Sequence, residues 1–286
     1  MEKTVYKLWR ALLCRRLSKS GLRAIEPYDD AEELYLDRHR ATMQMSPKDA
    51  QLTMSCDLAE AQRQAGYAAS AGIRVLFPDS AGYPQRFAGL AAPPPVLFVK
   101  GSLDHLGTCC AVVGARDAGA YAFELTRKLS SGLAAAGVTV ISGFAVGIDR
   151  AGHLGALDVN GQTVAVLGCG ILYDYPRGSM QLKEDIARRG AVISEFMPTE
   201  KPEPGNFLYR NRLTAALCDC VLCTQAAKRS GSLNTAGLAL EAGKPVFVTP
   251  PHDLLSGSCD GLISLLRDGA SQIYSAQDIL SVLGGS

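Results

Sequence analysis

The chain has 286 residues, 47% of them hydrophobic, which suits one large α/β domain with a small appendage and a filled core. Lys+Arg 29 against Asp+Glu 28 leaves a formal charge of +1, so no global field draws it to a polyanion, and any such site must be a local cluster. No apolar run reaches the ~18 residues of a membrane span, and charge interrupts the first helix too often for a signal peptide, so a cytoplasmic protein with no membrane partner is expected.

Lys3, Lys7, Arg10, Arg15, Arg16, Lys19 and Arg23 share residues 1–23 with one acid, Glu2. Val5, Leu8, Trp9, Leu12 and Leu13 recur at helical spacing among them, which predicts an amphipathic helix with a basic solvated face. Asp29-Asp30-Ala31-Glu32-Glu33 reads as a helix start, while 43–63 is poorly periodic. Residues 1–74 are therefore expected to form a small helical domain. Three prolines, Pro93 to Pro95, exclude helix and mark an entry loop.

From Ile73 the texture changes to short apolar runs at 73–77, 96–99, 111–113, 138–142, 163–167, 191–194, 220–224 and 246–249, separated by longer helical segments. Strands alternating with helices imply right-handed crossovers and a mostly parallel sheet covered on both faces, a Rossmann-like domain over 75–286. The 9 cysteines are an odd number, and most sit in apolar runs, as Cys109 and Cys110 do, so buried reduced thiols are expected. Cys218 and Cys220 would share a sheet face with Cys223 opposite and no fourth ligand nearby, which favours core packing and no metal.

Ligands of open parallel sheets bind at the carboxyl ends of the strands, so the turns there carry the argument. They read Gly114-Ala115-Arg116, then Ser142-Gly143-Phe144-Ala145-Val146-Gly147-Ile148-Asp149, then Gly168-Cys169-Gly170 followed by Tyr175-Pro176-Arg177. Two basic turns, Arg210-Asn211-Arg212 and Lys228-Arg229-Ser230-Gly231-Ser232-Leu233-Asn234-Thr235, bracket the apolar run that ends at Thr224. Glycines let backbone approach an anion, arginines add charge-assisted hydrogen bonds, and the second basic turn opens a helix, which suits phosphate.

Nucleotide motifs fit badly. The turn at 114–119 lacks the second glycine of G-x-G-x-x-G, and Ser142 stands where a ribose-binding acid would be. Gly243-Lys244 precedes a strand, and Pro245 replaces the Ser/Thr of a P-loop. Ser230 and Ser232 have no nucleophile elbow, and His39, His105, His153 and His252 have no triad context, so helix capping is expected and no catalytic residue.

Tyr83-Pro84, Val113-Gly114-Ala115-Arg116, Ser142-Gly143-x-Ala145-x-Gly147-Ile148-Asp149, Gly168-x-Gly170 with Tyr175-Pro176, Ser194-Glu195, Arg210-Asn211-Arg212 and Ser230-Gly231-Ser232-Leu233-x-Thr235-Ala236 stand in an order that resembles the DNA-processing protein A family (DprA, also called Smf) over 75–283. The resemblance implies an extended Rossmann domain, no enzymatic activity and no cofactor. It also implies single-stranded DNA as ligand, self-association as a homodimer, and loading of the recombinase RecA during natural transformation. It places the DNA pocket on Arg116, the 142–147 loop, Arg177, Arg210, Arg212 and the turn from Ser230 to Thr235, and self-association on 261–270 with Ile263, Leu265 and Leu266. Where the family has Glu-Ala, Phe-Pro and Pro-Gly, this chain has Gln225-Ala226, Phe207-Leu208 and Pro250-Pro251. The C-terminal winged-helix domain of many members is not expected in a sequence running to Ser286. A competing reading is a nucleotide enzyme resembling lysine-decarboxylase-like phosphoribohydrolases, for which Glu241 would be the candidate acid.

Overall fold

Residues 2–284 are described by a computed structural model, which divides into two units, 1–83 with 94–98 and 84–93 with 99–286. The first unit holds helices α1 (Glu2–Cys14), α2 (Lys19–Ile25), α3 (Ala31–Leu36), α4 (Arg38–Thr42), α5 (Pro47–Ser55) and α6 (Leu58–Ser70), then the short strand β1 (Arg74–Leu76). The basic N-terminal segment is two helices instead of one, because Ser18 caps α2 by accepting the Gly21 amide at 3.2 Å. The expected apolar stripe is the buried one: Leu8, Trp9, Leu12 and Leu13 face inward, and the Trp9 indole donates to Cys56 O at 2.9 Å. Asp30 caps α3 by accepting from the Glu32 and Glu33 amides, as the acidic start at 29–33 predicts. Asp49 ties α5 to α2 by accepting from Ser18 N at 3.0 Å and Ser18 Oγ at 2.6 Å.

The second unit is a Rossmann-like α/β layer structure. Strand β2 (Leu97–Gly101) contributes its last residues, followed by β3 (Cys109–Val113), α7 (Ala120–Ala135), β4 (Thr139–Ser142), α8 (Ile148–Asp158), β5 (Thr163–Val166), α9 (Met180–Arg189) and β6 (Ala191–Ser194). Next come α10 (Pro204–Leu217), β7 (Cys220–Cys223), α11 (Ser232–Glu241), β8 (Val246–Val248), α12 (Asp260–Arg267), β9 (Ser271–Gln272) and α13 (Ala276–Leu283). From β6 the order is β6-β5-β4-β3-β7-β8-β9, and every pairing along that run is parallel.

Strand β3 is buried throughout and feeds two cores. Cys110 and Val112 pack with Leu129 and Leu133 of α7 and Ile279 of α13, whereas Ala111 and Val113 pack with Ala236 and Ala239 of α11 and Leu262 of α12. Burial on both faces explains an unbroken apolar run. Chain order steps outward from β3 through β4 on one side and β7 on the other, so the sheet reverses direction at β3. A crevice is expected outside the carboxyl end of that strand.

All nine cysteines are free thiols, and only Cys14 is not buried. Cys218 joins the layer of Cys223, while Cys220 faces the other layer beside Cys110. The expected pairing of 218 with 220 fails because Cys218 closes α10 and lies outside the strand, so strand alternation does not reach it. Arg210-Asn211-Arg212 is likewise no turn but lies inside α10. That helix is buried on most sides, with Arg210, Asn211, Leu213, Thr214, Ala215 and Leu217 all inward, and so shows no amphipathic stripe to read.

Candidate nucleic-acid interface

The turns after β3, β4 and β7 are stitched together by backbone. Ala115 N donates to Gln225 O at 2.7 Å, Ile148 N donates to Ala115 O at 3.1 Å, and Gln225 Oε1 accepts from Gly119 N at 3.0 Å. The amide of Gln225 thus does an anchoring job, accepting one N–H without placing a negative charge beside the crevice. Gly147 has φ 76°, and a Cβ there would stand 2.3 Å from Ala115 O, so only glycine fits where the two turns cross.

Two adjoining hollows open above these turns, of about 690 and 460 Å³, and they share Arg116, Ala145 and Phe207 as a common wall. The first runs from Gly143–Val146 past Gly168 to Tyr173, Tyr175 and Arg177. The second is bounded by Gly114, Asp149, Leu208, Arg210, Asn211, Arg229, Ser230, Gly231, Ser232 and Thr235. The Arg116 guanidinium lies over the Phe207 ring at 5.1 Å, and Phe207 meets Tyr175 at 5.3 Å, so an aromatic ridge carrying a cation divides the trough. Exposed Arg116 and Arg177 supply positive charge at the ridge and at one end. The Arg177 loop is closed by Asp174, which accepts from Gly178 N at 2.8 Å and Ser179 N at 3.1 Å; these bonds hold its carboxyl below the usual range.

Beneath the 143–147 loop lies Arg210, only 5% exposed, whose guanidinium donates to Thr214 Oγ1 at 3.4 Å. A Cβ on Gly143 would stand 2.0 Å from its Nη1 atom, so this glycine is required by the arginine packed under it. Burial pushes the Arg210 pKa down and Asp149 pulls it back up. Burial pushes the Asp149 carboxyl up, Arg210 opposes this, and its Oδ2 accepts from Ala145 N at 3.2 Å. Asn211 donates to Gly231 O and Asn234 Oδ1, fixing the start of α11 against α10.

Gly114, Arg116, Gly143, Gly168, Arg177, Arg210, Asn211, Ser230, Gly231, Ser232 and Thr235 are therefore brought to one trough. Five candidates line neither hollow, of which Gly147 serves the crossing of the turns after β3 and β4. Ser142 spends its hydroxyl on Val112 O at 2.6 Å, Gly170 donates its amide to Glu200 O at 2.9 Å, and Lys228 is exposed outside both hollows while Arg229 lines the second. Arg212 points two residues round the helix from Arg210 and grips buried Glu195 through both carboxylate oxygens, at 2.9 and 2.6 Å. Ser230 Oγ accepts from Ser232 N at 3.4 Å and meets Ser232 Oγ at 2.7 Å; the cap residue of α11 itself is Gly231.

Phe207 is the important residue that motif reading passed over, although its position three residues before Arg210 puts both on one helix face. Of the proposed self-association contacts, Leu265 is 4% exposed and belongs to the core, while Ile263 and Leu266 are half-buried. Glu241 is the last residue of α11, roughly 14 Å along the helix from Ser232, and lines neither hollow.

The sequence model of the family described as DNA recombination-mediator protein A matches residues 74–284. The chain belongs to that family. The DNA processing protein DprA of Bacillus subtilis is 35% identical over 214 residues, covering 74% of this chain and 72% of that protein. The Smf protein of Synechocystis is 39% identical over 214 residues, 73% of this chain but 54% of its own, so the match takes in about half of that relative. Among solved structures, DprA from Streptococcus pneumoniae superposes with a TM-score of 0.81 at 31% identity, over 98% of this chain and 97% of that one. DNA processing protein A from Helicobacter pylori, described by its single-stranded DNA binding mode, gives 0.66 at 32% identity over 74% and 95%. The DprA fold and the motif order therefore agree. Among the described residues no helix is long and apolar enough to cross a membrane.

Proposed function

We propose that the trough at the end of β3 binds single-stranded DNA, and that the protein acts on DNA as a binding mediator without turning over a substrate. The observation that carries this is the alternation along one crevice of cations (Arg177, Arg116, Arg229) with aromatic rings (Tyr175, Phe207). Cations follow a phosphate backbone and rings accept unstacked bases of any identity, which suits a strand and does not suit a duplex. Self-pairing through the α12 region and delivery of the strand to RecA in natural transformation extend the reading on family resemblance. Ile263 and Leu266 are the surface candidates for the pairing.

The test is a fluorescence-anisotropy titration of oligo-dT with Arg116→Ala and Arg177→Ala. Each variant is expected to weaken binding about tenfold, and the wild-type log–log salt slope should lie near −2 to −3.5 for three to five phosphate contacts. Unchanged affinity in both variants, or a flat salt response, overturns the assignment.

A further inference from the structure

Lys183 of α9 is 1% exposed and pairs with no carboxylate among the described residues. Its Nζ donates to Ile171 O at 3.0 Å and to Tyr173 O at 2.5 Å, and lies 5.8 Å from the centre of the Phe144 ring. Burial lowers its pKa, and the fields of Cys169 and Asp174 oppose the shift. Asp174 itself is bonded to the Gly178 and Ser179 amides. Burying an ammonium against neutral carbonyls costs stability that an apolar side chain of the same length would not. What the ammonium provides in return is two charge-assisted hydrogen bonds to one segment, 171–173.

That segment leads into the turn that carries Tyr175 and Arg177, both of which line the first hollow. Its start is held by Leu172 N, which donates to Pro198 O at 2.9 Å, and its end by Asp174. Between them Tyr173 O accepts twice, from Lys183 Nζ and from Tyr175 N at 2.9 Å, so the lysine and the Tyr175 backbone meet on one carbonyl. Lys183 N in turn donates to Ser179 O at 3.1 Å, which fixes the lysine backbone to the far end of the same loop. A side chain anchored at the end of the loop thus reaches back to its beginning and closes it around Nζ. A loop without such a tie samples other arrangements, and ordering it on binding weakens affinity.

We propose that Lys183 is a positioning residue for the bound strand: it touches no DNA and acts by holding the 173–177 turn, so that the Tyr175 ring and the Arg177 guanidinium are in place before the strand arrives. This rests on the single-strand reading and goes beyond it by assigning a role to a residue that lines neither hollow. Methionine at 183 would keep the apolar stem and leave both carbonyls without this donor, so Arg177 would have to be ordered as it binds.

The test is a double-mutant cycle on oligo-dT affinity, read by fluorescence anisotropy at a temperature where every variant is folded. Lys183→Met is expected to weaken binding as Arg177→Ala does, about tenfold, and to make the log–log salt slope shallower by about 0.7, one phosphate on a single strand. Adding it to Arg177→Ala should weaken binding by less than about a further threefold, because the phosphate contact is already gone. Losses that multiply in full in the double variant overturn the proposal. If Arg177→Ala weakens binding while Lys183→Met does not, the positioning role alone fails; if wild type ignores oligo-dT, the strand reading fails and takes this role with it. A second measurement needs no variant. In DNA-free wild type, 15N order parameters at Tyr175 and Arg177 should match the rigid backbone of β5, about 0.85, and values under about 0.6 refute a held turn even if Lys183→Met does not fold.

Discussion

Arg212 offers the sharpest contrast between motif and structure. Family resemblance places it in the DNA pocket, but its guanidinium is clamped on Glu195, which is 0% exposed, and is backed by the Tyr209 ring at 4.0 Å. Arg212→Ala would leave a fully buried carboxylate without its cation, which costs about 3–5 kcal/mol. At roughly 2–4 °C per kcal/mol for a domain of this size, the thermal midpoint should fall by roughly 6–20 °C. Urea and thermal melts measure the loss. Replacing both partners, Arg212→Met with Glu195→Leu, should recover most of it, because no unpaired charge remains. At a temperature where the single variant is folded, its salt slope for oligo-dT should equal that of wild type. A stability loss below about 1 kcal/mol, or a slope change like that of Arg116→Ala, would refute this account.

Lys244 caps α10 by donating to Ala215 O, Ala216 O and Cys218 O at 2.7, 3.1 and 2.6 Å. Lys244→Met should cost about 1–3 kcal/mol in a urea melt, since three carbonyls at a buried helix end lose their donor; a change within a few tenths would show that water serves them equally well. His153 makes a pH prediction. Thr163 Oγ1 donates to Val140 O, so His153 Nδ1 donates to Thr163, and Nε2 is a buried acceptor with no partner. Burial holds its pKa down to about 3, far under the ordinary 6.5. The folded state therefore keeps His153 neutral while the unfolded chain takes up a proton below pH 6.5. Stability should fall as pH drops from 6.5 towards 3, by up to ~1.4 kcal/mol per pH unit, about 2 kcal/mol between pH 7 and 5. Urea midpoints of wild type and His153→Gln should converge over that interval, and parallel curves would count against the buried neutral ring.

Strands were legible because burial on both faces leaves uninterrupted apolar runs, and Ala191–Ser194 coincides with its expected run while the others differ by one or two residues at an end. The two-residue β9 escaped because Ser271 and Gln272 are exposed and carry no such run. Short helix α5 lay inside the segment 43–63 without clear period, where its Ser46 cap and local bonds, not an apolar stripe, define the turns. In the site, glycines and arginines at strand ends announced themselves, since they follow directly on the runs. Phe207 did not, because it sits in a helix and nothing local shows that it will meet the Tyr175 ring and the Arg116 guanidinium.

By itself the sequence determined the parallel α/β layering, the glycine-bearing turns at the strand ends and the presence of basic groups there, because each of these depends on neighbours close in the chain. Tertiary structure alone decided which cations face the trough. Arg210 and Arg212 share a motif and a helix, but a helix turns about 100° per residue. One therefore goes beneath the 143–147 loop and the other to buried Glu195, and that division is fixed by what packs against each side of α10.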